Sequence, residues 1–430
     1  MVGARTRTGA SGVGRGVRCW AALLVLALLV AGCGAPGAGA RGGASGSGGT
    51  TGGQPRAAQD EPQPLRVGLD AAMSGGSAAS GEAIRRGLQL AIDEINGQGG
   101  IHGHPLELVV RDHEGNPTKG VANIRELVER QGVVAIFAGL HTPVAMAERD
   151  IVHQLEVPFI VPWAAGTQIV QNGHNPNFIF RVSANDWTVD QFLVHYVVNK
   201  LGKRNPAVLV EDTAWGESNI EGLTHWLAEA GLRPAVVEKF KWGDTDMTPQ
   251  LTRAREAGAD ALILVANAPE GAQVMRSMDK LGLKPTTFPV VTHWGVTGGQ
   301  FAQVGGFENT NGVRTVQTYT FFGELNIPGK RVLSGYLRTY GGNGPEDITA
   351  PVGVANAFDA LHILARALRQ VDDPHNGDAV RRALENLEQP YEGLIKTYVK
   401  PFSPTNHEAL TADDYVMTVW QDGKLVPEPK

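Results

Sequence analysis

Leu65-Arg66-Val67-Gly68-Leu69, Ser74-Gly75-Gly76-Ser77-Ala78-Ala79-Ser80-Gly81, Gly87-Leu88-Gln89-Leu90-Ala91-Ile92-Asp93-Glu94-Ile95-Asn96 and Leu106 to Val110 set the pattern of this chain. The first piece is a short apolar strand, and the second is a loop of small residues. A helix is predicted from about Glu82 to Asn96, because Ile84, Leu88, Ala91, Ile92 and Ile95 fall at helical spacing. Gly97, Gly99 and Gly100 end it. Leu106 to Val110 is the next strand, and Asn116-Pro117 caps a second helix carrying Val121, Ile124 and Val128 on one face.

The alternation continues downstream. Val133 to Ala138 is an uninterrupted apolar run, as a strand covered on both faces requires. Pro158 to Val161, Ala207 to Val210, Ala261 to Val265 and Phe288 to Val291 repeat it, with helical stretches between most of them. Such alternation specifies α/β architecture: doubly wound parallel sheets with helices on both faces. Ligands of such sheets bind outside the carboxyl ends of the strands, so the residues after each strand are the ones to read for function. The stretch from Leu65 to Lys430 is large for one such sheet and comfortable for two.

The chain has 430 residues, 42% of them hydrophobic and 19% charged, an ordinary globular balance sufficient for more than one core. The net charge of -6 excludes the basic footprint of a nucleic-acid-binding protein. Many of the 55 glycines crowd into the first 53 positions, which are a different kind of material. There, Arg5, Arg7, Arg15 and Arg18 precede an apolar run from Trp20 to Val30, about half the length of a membrane-spanning helix. A basic start, a short apolar stretch and small residues describe a secretory signal, expected over residues 1–32. Val30-Ala31-Gly32-Cys33 resembles the bacterial lipobox, which implies acylation of Cys33 and a membrane anchor. Of the two cysteines, Cys19 lies inside the signal, so no intramolecular disulfide is expected in the mature chain. Gly34 to Pro64, rich in Gly, Ala, Ser and Pro, reads as a flexible linker.

Catalytic motifs are missing from the sequence. The glycines after the first strand do not fit G-x-G-x-x-G, and there is no Walker A loop, G-x-S-x-G elbow or H-E-x-x-H pair. No nucleophile–base pair emerges, so an enzyme is not expected, and neither is a cofactor. His102, His104 and His113 cluster in sequence, but the intervening strand separates its ends too far for a shared metal; they are expected to be solvated turn histidines.

The segment Gly87 to Asn96 followed by Gly99-Gly100-Ile101-His102-Gly103 resembles the first helix and turn of the type I periplasmic binding proteins, in the leucine/isoleucine/valine-binding branch of ABC-transporter substrate-binding lipoproteins. Asp112, Ala138-Gly139, Val157-Pro158, Phe178-Ile179-Phe180-Arg181 and Trp215-Gly216-Glu217 continue the resemblance in order. It implies two lobes joined by three crossing strands, near Arg181-Val182-Ser183, Val313 to Gln317 and Gly393-Leu394-Ile395. One lobe would be 65–182 plus 318–392, and the other 183–317 plus 393–430. It also implies a small-molecule ligand, an ABC permease and ATPase as membrane partners, a monomer, and an extracytoplasmic, membrane-anchored location. A ligand-sensing receptor for a membrane signalling partner is the alternative role on the same fold.

In amino-acid-binding members the first lobe holds the ligand carboxylate after the third and fourth strands. The matching positions are Leu140-His141-Thr142 and Trp163-Ala164-Ala165, with Ser74 in the first loop. Thr142 fits an anion-holding role, whereas Ala165 replaces a threonine that helps hold the ammonium. In the second lobe Trp215 takes the place of a cleft tyrosine, Asn267 lies near a second aromatic position, and Thr292-His293-Trp294-Gly295 covers the ammonium-pairing glutamate. Trp294 stands in that position, and Asp212 is the remaining source of negative charge. A buried ammonium without an anionic partner costs several kcal/mol, and a cation–π contact returns only ~0.5–2 kcal/mol. The expected ligand is therefore a small organic solute with an aromatic or apolar body and a carboxylate or amide end, rather than a plain amino acid.

Overall fold

A computed structural model describes residues 62–428. Cys33, the expected signal and all of the expected linker except its last residues lie outside the described residues. The first sheet has five parallel strands in the order β2-β1-β3-β4-β5, with β1 Leu65–Ala71, β2 Leu106–Asp112, β3 Ala135–Ala138, β4 Phe159–Val161 and β5 Ile179–Arg181. The second has seven, ordered β14-β13-β10-β9-β8-β6-β7. Its strands are β6 Pro206–Glu211, β7 Val237–Phe240, β8 Ala261–Val265, β9 Val290–Thr292, β10 Arg314–Gln317, β13 Val416–Gln421 and β14 Lys424–Pro427. Strands β6 to β10 run parallel, and β13 and β14 join antiparallel. A two-stranded hairpin, β11 Tyr391–Glu392 and β12 Thr397–Tyr398, lies apart.

The apolar runs divide by side-chain alternation between two cores. In β8, Ala261, Ile263 and Val265 point to one apolar cluster, and Leu262 and Leu264 to another. In β3, Ala135 and Phe137 separate in the same way from Ile136 and Ala138. In the first lobe the helices Ala78–Gly97 and Pro351–Arg369 pack together, as do Pro117–Glu129 and Thr142–Gln154. The first helix starts a turn earlier than its periodicity predicts, at Ala78, because small Ser80 and Gly81 are themselves buried. Asn116 caps the second as expected, its Oδ1 accepting the Thr118 and Lys119 amides at 2.9 and 3.2 Å.

The first crossing leaves β5 after Arg181, and the second leaves β10 after Gln317. The third lies further along than expected. Asp359 of the helix Pro351–Arg369 accepts the Leu394 and Ile395 amides at 2.8 and 3.1 Å and the Tyr391 and Tyr398 hydroxyls at 3.0 Å each. The amide of Arg181 then donates to His407, and that of Ala409 donates to Arg181. Residues 393–408 therefore lie on the first sheet's side, and the chain reaches the second sheet between Ala409 and β13.

His113 is also not a solvated turn residue. It is buried, with its ring 5.5 Å from that of His141, and burial lowers its pKa to about 4. His102 and His104 contact backbone carbonyls, and among the described residues no His/Cys/Asp/Glu group has metal-site geometry.

Candidate functional site

Each sheet has a point where neighbouring strands send their following loops in opposite directions, and there a crevice opens at the carboxyl ends. In the first sheet it lies between β1 and β3; in the second, between β6 and β8. The two crevices face each other. A cavity of about 170 Å³ between them is lined by Ser74 and Gly76 after β1, His141 after β3, Trp242 after β7, and Asn267 and Glu270 after β8. Three expected residues, Ser74, His141 and Asn267, thus meet at the mouth of the cleft.

His141 is a neutral donor or acceptor here, because burial lowers its pKa to about 3. Its Nδ1 and the Oδ1 of Asn267 are buried without a hydrogen-bond partner among the described residues. Sequence reasoning missed Trp242 and Glu270. The Trp242 indole stands 5.3 Å from the His141 ring, and its Nε1–H donates to Glu211 at 2.7 Å. Burial raises Glu211 to about 8, despite the donors from Trp242 and the Asn267 backbone. Glu270 accepts the Gly243 amide at 3.0 Å. Among the described residues, no lysine or arginine lines this mouth.

Beyond the mouth the cleft is filled by aromatic rings. Trp163 after β4 and Trp294 after β9 are both 1% exposed and lie against each other across the lobes, their ring centroids 6.2 Å apart and their planes tilted by 58°. Trp215 and His293 stand edge to face at 5.1 Å. The three tryptophans belong to one apolar cluster that draws on both lobes. Close packing fixes them: a β-carbon on Gly353 would lie 2.6 Å from Trp163 Cζ3, and one on Gly295 would lie 2.6 Å from Trp215 Cη2. The buried turn Trp294–Gly298 inserts toward the first lobe, where Gly298 approaches Ser80, Leu140 and Trp163.

The carboxylate beside these rings is Asp186, from the first crossing, which the sequence did not single out. Its Oδ1 accepts the Trp215 Nε1–H at 3.1 Å and lies 3.1 Å from His293 Nε2. His293 Nδ1 accepts the Trp294 amide at 2.9 Å, and its Nε2, though near Asp186, is buried without a hydrogen-bond partner among the described residues. Asp186 Oδ2 and Trp163 Nε1 are buried without a partner among the described residues. An indole N–H buried in this way is a donor left open to an acceptor.

The other expected residues are engaged elsewhere. Thr142 Oγ1 accepts the Gly166 amide at 3.2 Å and ties two loops of the first lobe together. Ala164 and Ala165 are buried; the Ala165 carbonyl accepts from the Arg181 guanidinium and, at 2.8 Å, from the Asp186 amide. Asp212 is exposed, 3.9 Å from Lys239, and offers no charge to the cleft. The cause is local: β6 ends with Glu211 turned inward, so alternation turns Asp212 outward.

A family model described as periplasmic binding protein matches residues 64–424. The Leu/Ile/Val-binding protein homolog 3 of Brucella melitensis is 23% identical over 362 residues, 84% of this chain and 93% of that protein. The solved structure of a type 1 periplasmic binding protein from Bordetella pertussis superposes with a TM-score of 0.77 at 24% identity, covering 85% of this chain and 100% of that one. A solute-binding protein of an ABC transporter from R. palustris, solved in complex with 4-hydroxybenzoate, superposes at 0.73 and 20% identity, covering 85% and 96%.

Proposed function

The chain belongs to the periplasmic binding protein family, and on that premise we propose that it is the solute-binding lipoprotein of an ABC importer of the branched-chain amino acid type. Its ligand is a small organic solute with a flat, apolar body and an acceptor end, a carboxylate or amide. The observation that carries this reading is the Trp163–Trp294 pair, with the buried, unpartnered Trp163 Nε1–H between the lobes. Two indole faces suit an aromatic ring, and the free donor suits its acceptor end. The 4-hydroxybenzoate bound by the R. palustris protein has this shape and chemistry. With Trp294 at the position read as the ammonium-pairing glutamate, a plain amino acid loses its main partner.

Calorimetry with 4-hydroxybenzoate, benzamide, leucine and valine tests the proposal. Aromatic acids or amides are expected to bind and the aliphatic amino acids are not. The Trp163→Phe variant should bind the aromatic ligand about tenfold to a hundredfold more weakly, the worth of one hydrogen bond to a charged or polar acceptor. Tight leucine binding with no response to aromatic ligands would sink the reading. A second reading, an ammonium-bearing solute, is favoured by the unpartnered Asp186 Oδ2; it requires amines to bind and Asp186→Asn to abolish that binding.

Cys33 completes the proposal as a lipid anchor that holds the binding protein beside its permease. Expressed in its host, the Cys33→Ser chain should move from the membrane to the soluble fraction, and retention in the membrane would refute the anchor.

A further inference from the structure

The turn Trp294–Gly298 separates the mouth from a second cavity, about 110 Å³, beside the second crossing. Its walls come from both lobes. Thr297, Gln317 and Trp420 belong to the second lobe, and the segment Pro345 to Pro351 leads into the first lobe's helix Pro351–Arg369. Phe321 and Phe322, on the crossing itself, and Trp420 supply apolar surface. Cavities of comparable size (~150 Å³), lined by apolar side chains, accept benzene in water.

Several polar groups line this space. Gln317 is fully buried on β10; its Nε2 donates to the Val316 carbonyl at 2.7 Å, and its Oε1 has no partner among the described residues. Thr297 and Thr418 donate their hydroxyl protons to the carbonyls of Trp294 and Thr315 at 2.8 and 2.6 Å, so each keeps only lone pairs to offer. Glu346 and Lys424 also line the space with opposite charges. Gln317 Oε1 is thus an open acceptor in this wall, the reverse of the Trp163 indole; the Tyr319 hydroxyl, also on the wall, is likewise buried without a partner among the described residues.

We propose that this cavity is a second binding site, for a small neutral ring or chain bearing one O–H or N–H donor that reaches Gln317 Oε1. Because both lobes form its walls, an occupant favours the arrangement in which the lobes meet. The site is separate from the tryptophan pair and does not depend on what binds there.

Phenol and toluene are matched probes that differ in the donor. Saturation-transfer NMR and calorimetry on the full chain should show saturable phenol binding, with toluene about tenfold weaker. The near-isosteric Gln317→Met variant should lose that preference, and Trp163→Phe should keep it. Equal affinities in the wild type, absence of saturable phenol binding, or a preference that survives in Gln317→Met overturns the site. Loss of the preference in Trp163→Phe would place phenol at the tryptophan pair and overturn it as well.

Discussion

Arg181 shows how one buried side chain can position a whole cleft. It is fully buried, and its guanidinium donates to the carbonyls of Ala165, Gly166 and Ala184. Its Nε lies 3.1 Å from Glu408, whose carboxyl burial pushes upward and the Arg181 charge pulls back. One cation thus fixes the loop carrying Trp163, the first crossing and the segment leading to the third. Removing one partner of a buried pair leaves the other uncompensated, at a cost of about 3–5 kcal/mol. Arg181→Met should therefore lower unfolding stability in urea by that amount, and adding Glu408→Gln should recover part of it. An unchanged midpoint in the single variant would show that the pair carries no such weight. The sequence showed Arg181 as part of Phe178 to Arg181, but not its partner more than two hundred residues away.

At the scale of elements, β1 is joined to two helices through a buried acid pair. Asp70 of β1 accepts from Asn123 Nδ2 at 2.8 Å and faces Glu148, which comes from the helix Thr142–Gln154. Burial raises both carboxyls, Asp70 to about 7 and Glu148 well above its ordinary range. The folded chain keeps protons that the unfolded chain gives up near pH 4. The pair's contribution to stability therefore falls as pH rises from about 4 toward 7. The depressed His113 and His141 act with the opposite sign, since their contribution is lost as pH falls below about 6.5. Glu148→Gln isolates the acid pair. Urea unfolding at pH 5 and pH 7.5 should show the variant gaining stability relative to wild type at the higher pH. An identical pH dependence in the two proteins would remove the pair from consideration. Local patterning announced the elements themselves: the Asn116 cap and the helical period of Ile84 to Ile95 both appear in the structure. β7, β13 and β14 were harder to see, because their exposed faces interrupt the apolar runs.

At the scale of the whole molecule, the sequence by itself determined the α/β class and the family. Both rest on short-range information: apolar period, caps, glycine stops and the order of motifs along the chain. The family resemblance offered Ser74, His141, Asn267, Trp163 and Trp294 as cleft candidates, and in the structure the first three line one mouth while the two indoles stand with ring centroids 6.2 Å apart. Only the tertiary structure decided which way those residues face and what they meet. Asp212 and Glu211 are adjacent, yet one is exposed and the other buried. Thr142 was read as an anion holder and instead accepts the Gly166 amide. Asp186 and Trp242 entered the cleft unannounced, Gln317 turned out to line a second cavity, and the third crossing moved beyond His407. The physical reason is the same in each case. Periodicity fixes which side of an element is apolar, whereas the partner of a buried polar group is chosen by packing between segments far apart in the chain.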